Sequence, residues 1–195
     1  MICIGIDNGK SGAIAFIGID APEITGTNKN AYKVVDMPII GKEYDIGSIY
    51  RILRVYEDEA NVCLESAQVM PGQGACSGFT IGKNYGIIQG VLTAVGMPYE
   101  IITPKKWQKE FGISSDIELP KVTKEMTDDQ KKECNKERAR LKAERKKEIK
   151  SKSVLIAQRL FPGINFTTPR GALKDGWSDA ILMAEYCRRQ YGTKK

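Results

Sequence analysis

Four carboxylates stand where acidic oxygens can do metal chemistry. Asp7 closes the run Met-Ile-Cys-Ile-Gly-Ile-Asp, and Glu65 closes Asn-Val-Cys-Leu-Glu. Each follows a small residue two positions back, Gly5 and Cys63, and so shares a strand face with it. Near the other end of the chain, Asp175 and Asp179 are four residues apart, on one face of a helix that holds both. If the two strands are parallel neighbours, ~4.8 Å apart, their terminal carboxylates can share a cation. Four hard oxygen donors suit Mg2+ or Mn2+ rather than zinc. Two such ions ~3.5 to 4 Å apart can activate a water and stabilise the leaving oxygen of a phosphodiester. Each acid also has a plainer explanation. Asp7 before Asn-Gly can be a turn former, Glu65 a solvated strand end, and the last pair first-turn acids that suit a helix dipole.

Composition narrows the alternatives. The 195 residues contain no histidine, which removes Ser-His-Asp and Cys-His nucleophilic triads. Cys3, Cys63, Cys76, Cys134 and Cys187 are scattered with no CxxC, which disfavours structural zinc and suggests reduced, buried thiols in a reducing cytoplasm. No basic leader or long apolar run is present, so a cytoplasmic protein with no membrane span is expected. With 42% hydrophobic and 28% charged residues the chain has enough apolar matter for one domain with an appendage. The net charge of +6 is local. Between Lys121 and Lys152 there are 13 Lys and Arg against 7 Asp and Glu, and the remainder balances at 17 against 17. Such a segment can neutralise nucleic-acid phosphates, or form a solvated helix laced with i,i+4 ion pairs.

The elements that must position the acids follow from periodicity. Residues 2–7 alternate bulky Ile2, Ile4 and Ile6 with small Cys3 and Gly5, a period-two strand, and 13–19 returns as its hairpin partner. Further strands are expected at 31–37, 61–66 and 99–103. Helices are expected at 46–60, with Asp45 as N-cap, and at 80–95, 104–111, 127–160 (one helix or two) and 177–189. A glycine-rich loop covers 70–78. Gly82, Gly86 and Gly90 line one face of the second helix, where something should pack close to the backbone. The sum is an α/β domain with a mixed sheet.

Taken in order, Gly5-Ile6-Asp7-Asn8-Gly9, Leu64-Glu65-Ser66, Ile81-Gly82-Lys83-Asn84-Tyr85-Gly86-Ile87-Ile88-Gln89-Gly90, Thr103-Pro104-Lys105-Lys106-Trp107 and Ser178-Asp179-Ala180-Ile181-Leu182 resemble the RuvC-type Holliday-junction resolvases, in a divergent or phage-like branch. The similarity spans most of the chain outside residues 115–148. It implies a ribonuclease-H-like mixed five-stranded sheet flanked by helices, forming one domain over 1–195 with an inserted basic helical arm at about 115–148. It also implies a homodimer that cuts symmetric strands of branched DNA with Mg2+, in a bacterial cell or phage-infected host.

By that resemblance Asp7, Glu65 and Asp179 bind metal, with Asp175 as fourth acid, although the family's last pair is three residues apart and this one is four. Lys152 matches a phosphate-contacting lysine. A second lysine expected near residue 108 is Gln108 here, with Lys105, Lys106 and Lys109 as substitutes, and Lys83 joins the DNA-binding set. An aromatic wedge after the glutamate is represented by Met70 or Phe79, either of which can unstack bases, while Phe79 can equally pack at a helix start. The arm can be a hairpin or a partly disordered extension along a DNA branch. Two other functions compete: a DNA-binding module that keeps the fold without catalysis, and an actin-like ATPase fragment, for which the chain is short.

Overall fold

The computed structural model describes residues 1–18, 31–69 and 72–192. Five strands form one sheet in the order β3-β2-β1-β6-β7, comprising β1 (Ile2–Ile6), β2 (Ala13–Gly18), β3 (Ala31–Asp36), β6 (Ala60–Glu65) and β7 (Tyr99–Ile102). The first three strands are antiparallel neighbours, while β1 and β6, and β6 and β7, run parallel. The sheet is therefore mixed. Two short strands, β4 (Ile39–Ile40) and β5 (Glu43–Tyr44), make a separate hairpin that the sequence pattern did not reveal.

Alternation along β1 decides what covers each face. Ile2, Ile4 and Ile6 join Ile14, Phe16, Val62 and Leu64 under α1 (Ile46–Arg54) and α2 (Ala75–Val95). Cys3, Ala13, Ala15 and Cys63 face the other way, towards α5 (Asp175–Tyr191). The small face lets α5 come unusually close. A Cβ built on Gly5 would lie 2.1 Å from the Ala180 carbonyl oxygen and 2.3 Å from the Ala184 nitrogen, both backbone atoms. At the start of α5, a Cβ on Gly176 would lie 2.2 Å from the Ser11 carbonyl oxygen. Glycine at these two positions seats the first turns of α5 against the β1 end and the turn that follows it.

Several boundaries differ from the sequence expectation. The first helix stops at Arg54 rather than 60, because Tyr56, Glu57 and Glu59 donate into successive turns. Its N-cap is Asp45, whose Oδ1 accepts from the Ser48 amide at 3.0 Å. The second helix begins at Ala75, so half of the expected glycine-rich loop is helical. Among the described residues nothing packs on the glycine face of α2, since a Cβ on Gly82, Gly86 or Gly90 meets nothing within 4 Å, and the close partner expected there is not found among them.

Of the expected helical arm at about 115–148, residues 115–127 are not helical, and from Asp128 the charged segment runs as one continuous helix, α4 (Asp128–Leu160), 33 residues long and hence ~50 Å. It is not a hairpin. Thr127 and Gln130 close a capping box at its start. Its front is polar and exposed, whereas Ser153, Val154 and Ala157 are buried against α5. Helix α3 (Pro104–Glu110) lies after β7 and buries Trp107 completely. Among the described residues no helix is long and apolar enough to cross a membrane. Cys3, Cys63 and Cys187 are buried free thiols, Cys134 is half-buried and Cys76 is exposed.

Candidate active site

Register brings the first two acids together. Ile6 pairs with Leu64 across the parallel β1–β6 ladder, so Asp7 and Glu65 follow side by side at the C-terminal edge of the sheet. That edge is where open α/β sheets place ligands. The pairing is tied by Asn8, whose side-chain amide donates to the Glu65 carbonyl at 3.1 Å. Asp7 lies on the small-residue face with Gly5, and Glu65 shares its parity with Cys63, so both face α5. Asp179 is on α5 beside Ala180, the residue that touches Gly5. Residues from both ends of the chain thus meet over the end of β1.

The three acids raise one another's cost of ionisation. Burial raises the Asp7 carboxyl above the ordinary aspartate range, partly offset by the Gly9 amide that donates to its Oδ1 at 3.0 Å, while the Asp175 charge pushes it up further. Glu65 is pushed up to about 7 by burial and then by the Asp7 charge. The buried Trp107 indole opposes this by donating to Glu65 Oε1 at 3.1 Å. Asp179 is raised well above its normal value by burial first, then by Asp7 and Glu65, and Ser153 of α4 counteracts through a side-chain hydrogen bond. Each ionised carboxylate therefore resists its neighbours' ionisation. Tyr44 also borders the group. Its hydroxyl donates to the Asn8 carbonyl, and burial, then the Asp7 charge, raises its pKa well above the ordinary tyrosine value, so it keeps its proton.

Asp175 behaves differently. It is the first residue of α5, and its carboxylate is ion-paired with Lys150 of α4. The fourth acid already has a cationic partner, whereas Asp179 Oδ1 is buried with no hydrogen-bond partner. Among the described residues no three acidic or thiol groups are gathered tightly enough, as they stand, to hold one ion. The donor chemistry nevertheless fits a divalent cation: carboxylate oxygens only, mutually repelling, one of them unpartnered in the interior.

A cleft of about 330 Å³ opens over these acids. Its acidic side is Glu65 and Asp179, and its opposite side is α4, through Lys142, Arg145, Lys146 and Lys150. The sequence reading did not single out these four. Their spacing of 142, 145, 146 and 150, continued by Ser153, is one helical stripe, a signal that was available once α4 was taken as unbroken.

Lys105 and Lys109 line an adjoining cleft, with Gln108 common to both. Lys106 points elsewhere, to Glu100 at 2.5 Å and over the Tyr186 ring. Lys83 is paired with Glu43 of β5. Lys152 is not part of either lining. Its Nζ donates to the Ser114 carbonyl and pairs with Glu148, each at 2.7 Å. Phe79 does not pack at its helix start but is 74% exposed. Met70 lies outside the described residues.

No protein-family model matches the sequence, and no curated protein does. Among solved structures, RuvC of Thermus thermophilus is 14% identical over 100% of this chain and 99% of its own, with a TM-score of 0.50. T. thermophilus RuvC in complex with a Holliday junction substrate gives the same identity and coverage with a TM-score of 0.49. The likeness to the former is one of fold: a ribonuclease-H-like mixed five-stranded sheet with flanking helices.

Proposed function

We propose that this chain is a metal-dependent, structure-selective endonuclease that resolves four-way or other branched DNA junctions by paired phosphodiester hydrolysis. The observation that carries the proposal is the meeting of buried, mutually repelling Asp7, Glu65 and Asp179 at the sheet edge, beneath a helix whose charged side chains in the adjoining cleft are all cationic. A carboxylate set that is costly to ionise alone, facing a basic wall, suits a cation on one side and a phosphate on the other. The fold shared with RuvC agrees with a nuclease.

Asp7, Glu65 and Asp179 would hold Mg2+, with Mn2+ as a substitute, and the bound ion would supply a more acidic water and neutralise charge on the leaving oxygen. The chain's own residues set the acids for this. The Gly9 amide fixes Asp7, the Trp107 indole fixes Glu65, and Ser153 favours the charged form of Asp179. Lys150 keeps Asp175 neutralised at the rim. Lys105 and Lys109 would meet DNA phosphates, and the exposed Phe79 would stack against unpaired bases. A homodimer, with the uncovered glycine face of α2 as its contact, would bring one acidic site to each of two strands.

The test is purified protein with an end-labelled four-way junction or linear duplex, with and without Mg2+. Symmetric nicks near the crossover, absent with Asp7→Asn although that variant still retards the junction, are the expected result. An Asp7→Asn protein that nicks at the wild-type rate refutes the assignment, and retardation without nicks by the wild type leaves a DNA-binding module.

A further inference from the structure

The acidic cleft does not end at Glu65 and Asp179. It continues into a second cleft of about 370 Å³ between α3 and α4, where Lys105 and Lys109 form one wall. Gln108, Arg145 and Ile149 are shared by both clefts and so lie at their junction. Of the three, only Arg145 is charged. Along the floor of this path the chain offers Ile149 and Gln108, neither of which repels a polyanion.

Some cations of α4 have partners within the helix and others do not. Arg140 pairs with Glu144, Lys152 with Glu148, and Lys131 and Lys132 with Asp128 and Asp129. Lys142, Arg145 and Lys146, like Lys136, Arg138 and Lys147, have no carboxylate within salt-bridge distance among the described residues, and all three are exposed. All three line the cleft over the acids. Unpaired cations gathered beside buried carboxylates retain their attraction for an external anion. Arginine adds a planar fork that matches two phosphate oxygens at once.

We infer that Arg145 is the phosphate-holding residue at the mouth of the acidic site, and that a single DNA strand leaves the site along the α3–α4 groove past Lys105 and Lys109. This rests on the nuclease reading above and adds to it a strand path and a positioning residue. Lys142 and Lys146 flank Arg145 one turn before it and one residue after it, so the phosphate at the cleft mouth meets positive charge on both sides. The long front half of α4 then serves as the rod that carries these cations over the acids.

The experiment compares wild type, Arg145→Gln, Arg145→Lys and, as a charge-matched control, Lys33→Gln on the exposed side of β3. Binding to a fluorescent four-way junction is measured across a salt series in chelator, and cleavage is measured in Mg2+. Arg145→Gln should weaken binding about tenfold and reduce the slope of log affinity against log salt by about 1. It should raise the KM for cleavage more than it lowers kcat. Arg145→Lys should restore the salt slope but only part of the affinity, since the fork is lost. Lys33→Gln should match wild type. If wild type cuts junctions and Arg145→Gln behaves as Lys33→Gln does in affinity and slope, the strand path is wrong and the nuclease reading stands. If wild type neither binds nor cuts branched DNA, both fall.

Discussion

Replacing Glu65 with glutamine should make the metal-free protein more stable at alkaline pH, the opposite of what loss of a hydrogen-bonded buried side chain ordinarily does. Burial and the Asp7 charge raise the Glu65 carboxyl from 4.5 to about 7. Between those values the unfolded chain has already ionised while the folded chain keeps its proton, so folding takes up a proton and stability falls as pH rises. The full penalty is reached above pH ~7. At ~1.36 kcal/mol for each pH unit it amounts to about 3 kcal/mol. Glutamine retains an oxygen to accept from Trp107 and carries no charge, so it removes the penalty and keeps the contact. For a chain of this length that is a rise in Tm of about 6–12 °C. The assay is thermal unfolding in chelator at about pH 5 and about pH 8.5. The variant should lead wild type by most of that margin at the higher pH and by little at the lower. A lead of equal size at both pH values, or a variant less stable than wild type at the higher one, refutes the claim that Glu65 is strained by burial beside Asp7.

Other perturbations have equally definite outcomes. Gly5→Ala puts a methyl 2.1 Å from the Ala180 carbonyl oxygen, so α5 must move off β1. A loss of about 1–3 kcal/mol in denaturant unfolding is expected, together with weaker cation binding because Asp179 moves with the helix; unchanged stability would show that the contact is slack. Lys150→Met frees Asp175 and adds net negative charge beside Asp7. Calorimetry should then show tighter Mn2+ binding with a stability change within about 1 kcal/mol, since the lost pair is partly exposed; equal or weaker binding contradicts it. Gly86→Leu, on the uncovered face of α2, should turn a dimer into a monomer in sedimentation velocity without lowering Tm. A persistent dimer would place the contact elsewhere.

Much of this was legible in the sequence, for a physical reason. The alternation of bulky isoleucines with Cys3 and Gly5 marks a strand with one tightly covered face, and Asp7 and Glu65 follow small residues on that face. The i,i+4 spacing of Asp175 and Asp179 was equally visible, but their different fates were not. Only the packing of α4 on α5 reveals that Lys150 reaches Asp175 while Asp179 Oδ1 is left without a hydrogen-bond partner. The same packing hid Arg145 and its neighbours, because a cation on a polar helix has no sequence signature until the facing surface is known. Helix ends differ where turns compete: residues 75–78, the end of the loop expected over 70–78, form the first turn of α2, and residues beyond Arg54 leave α1 although their apolar spacing continues. The glycine stripe suggests a close contact, and among the described residues it faces nothing.

The central claim is that Asp7, Glu65 and Asp179 act as one cation site. Equilibrium binding of Mn2+ to the purified protein at neutral pH, followed by titration calorimetry for wild type, Asp7→Asn, Glu65→Gln and Asp179→Asn, tests it directly. The account predicts that wild type binds and that each single substitution weakens or abolishes the same binding event. Wild-type affinity in any one of the three variants would contradict it.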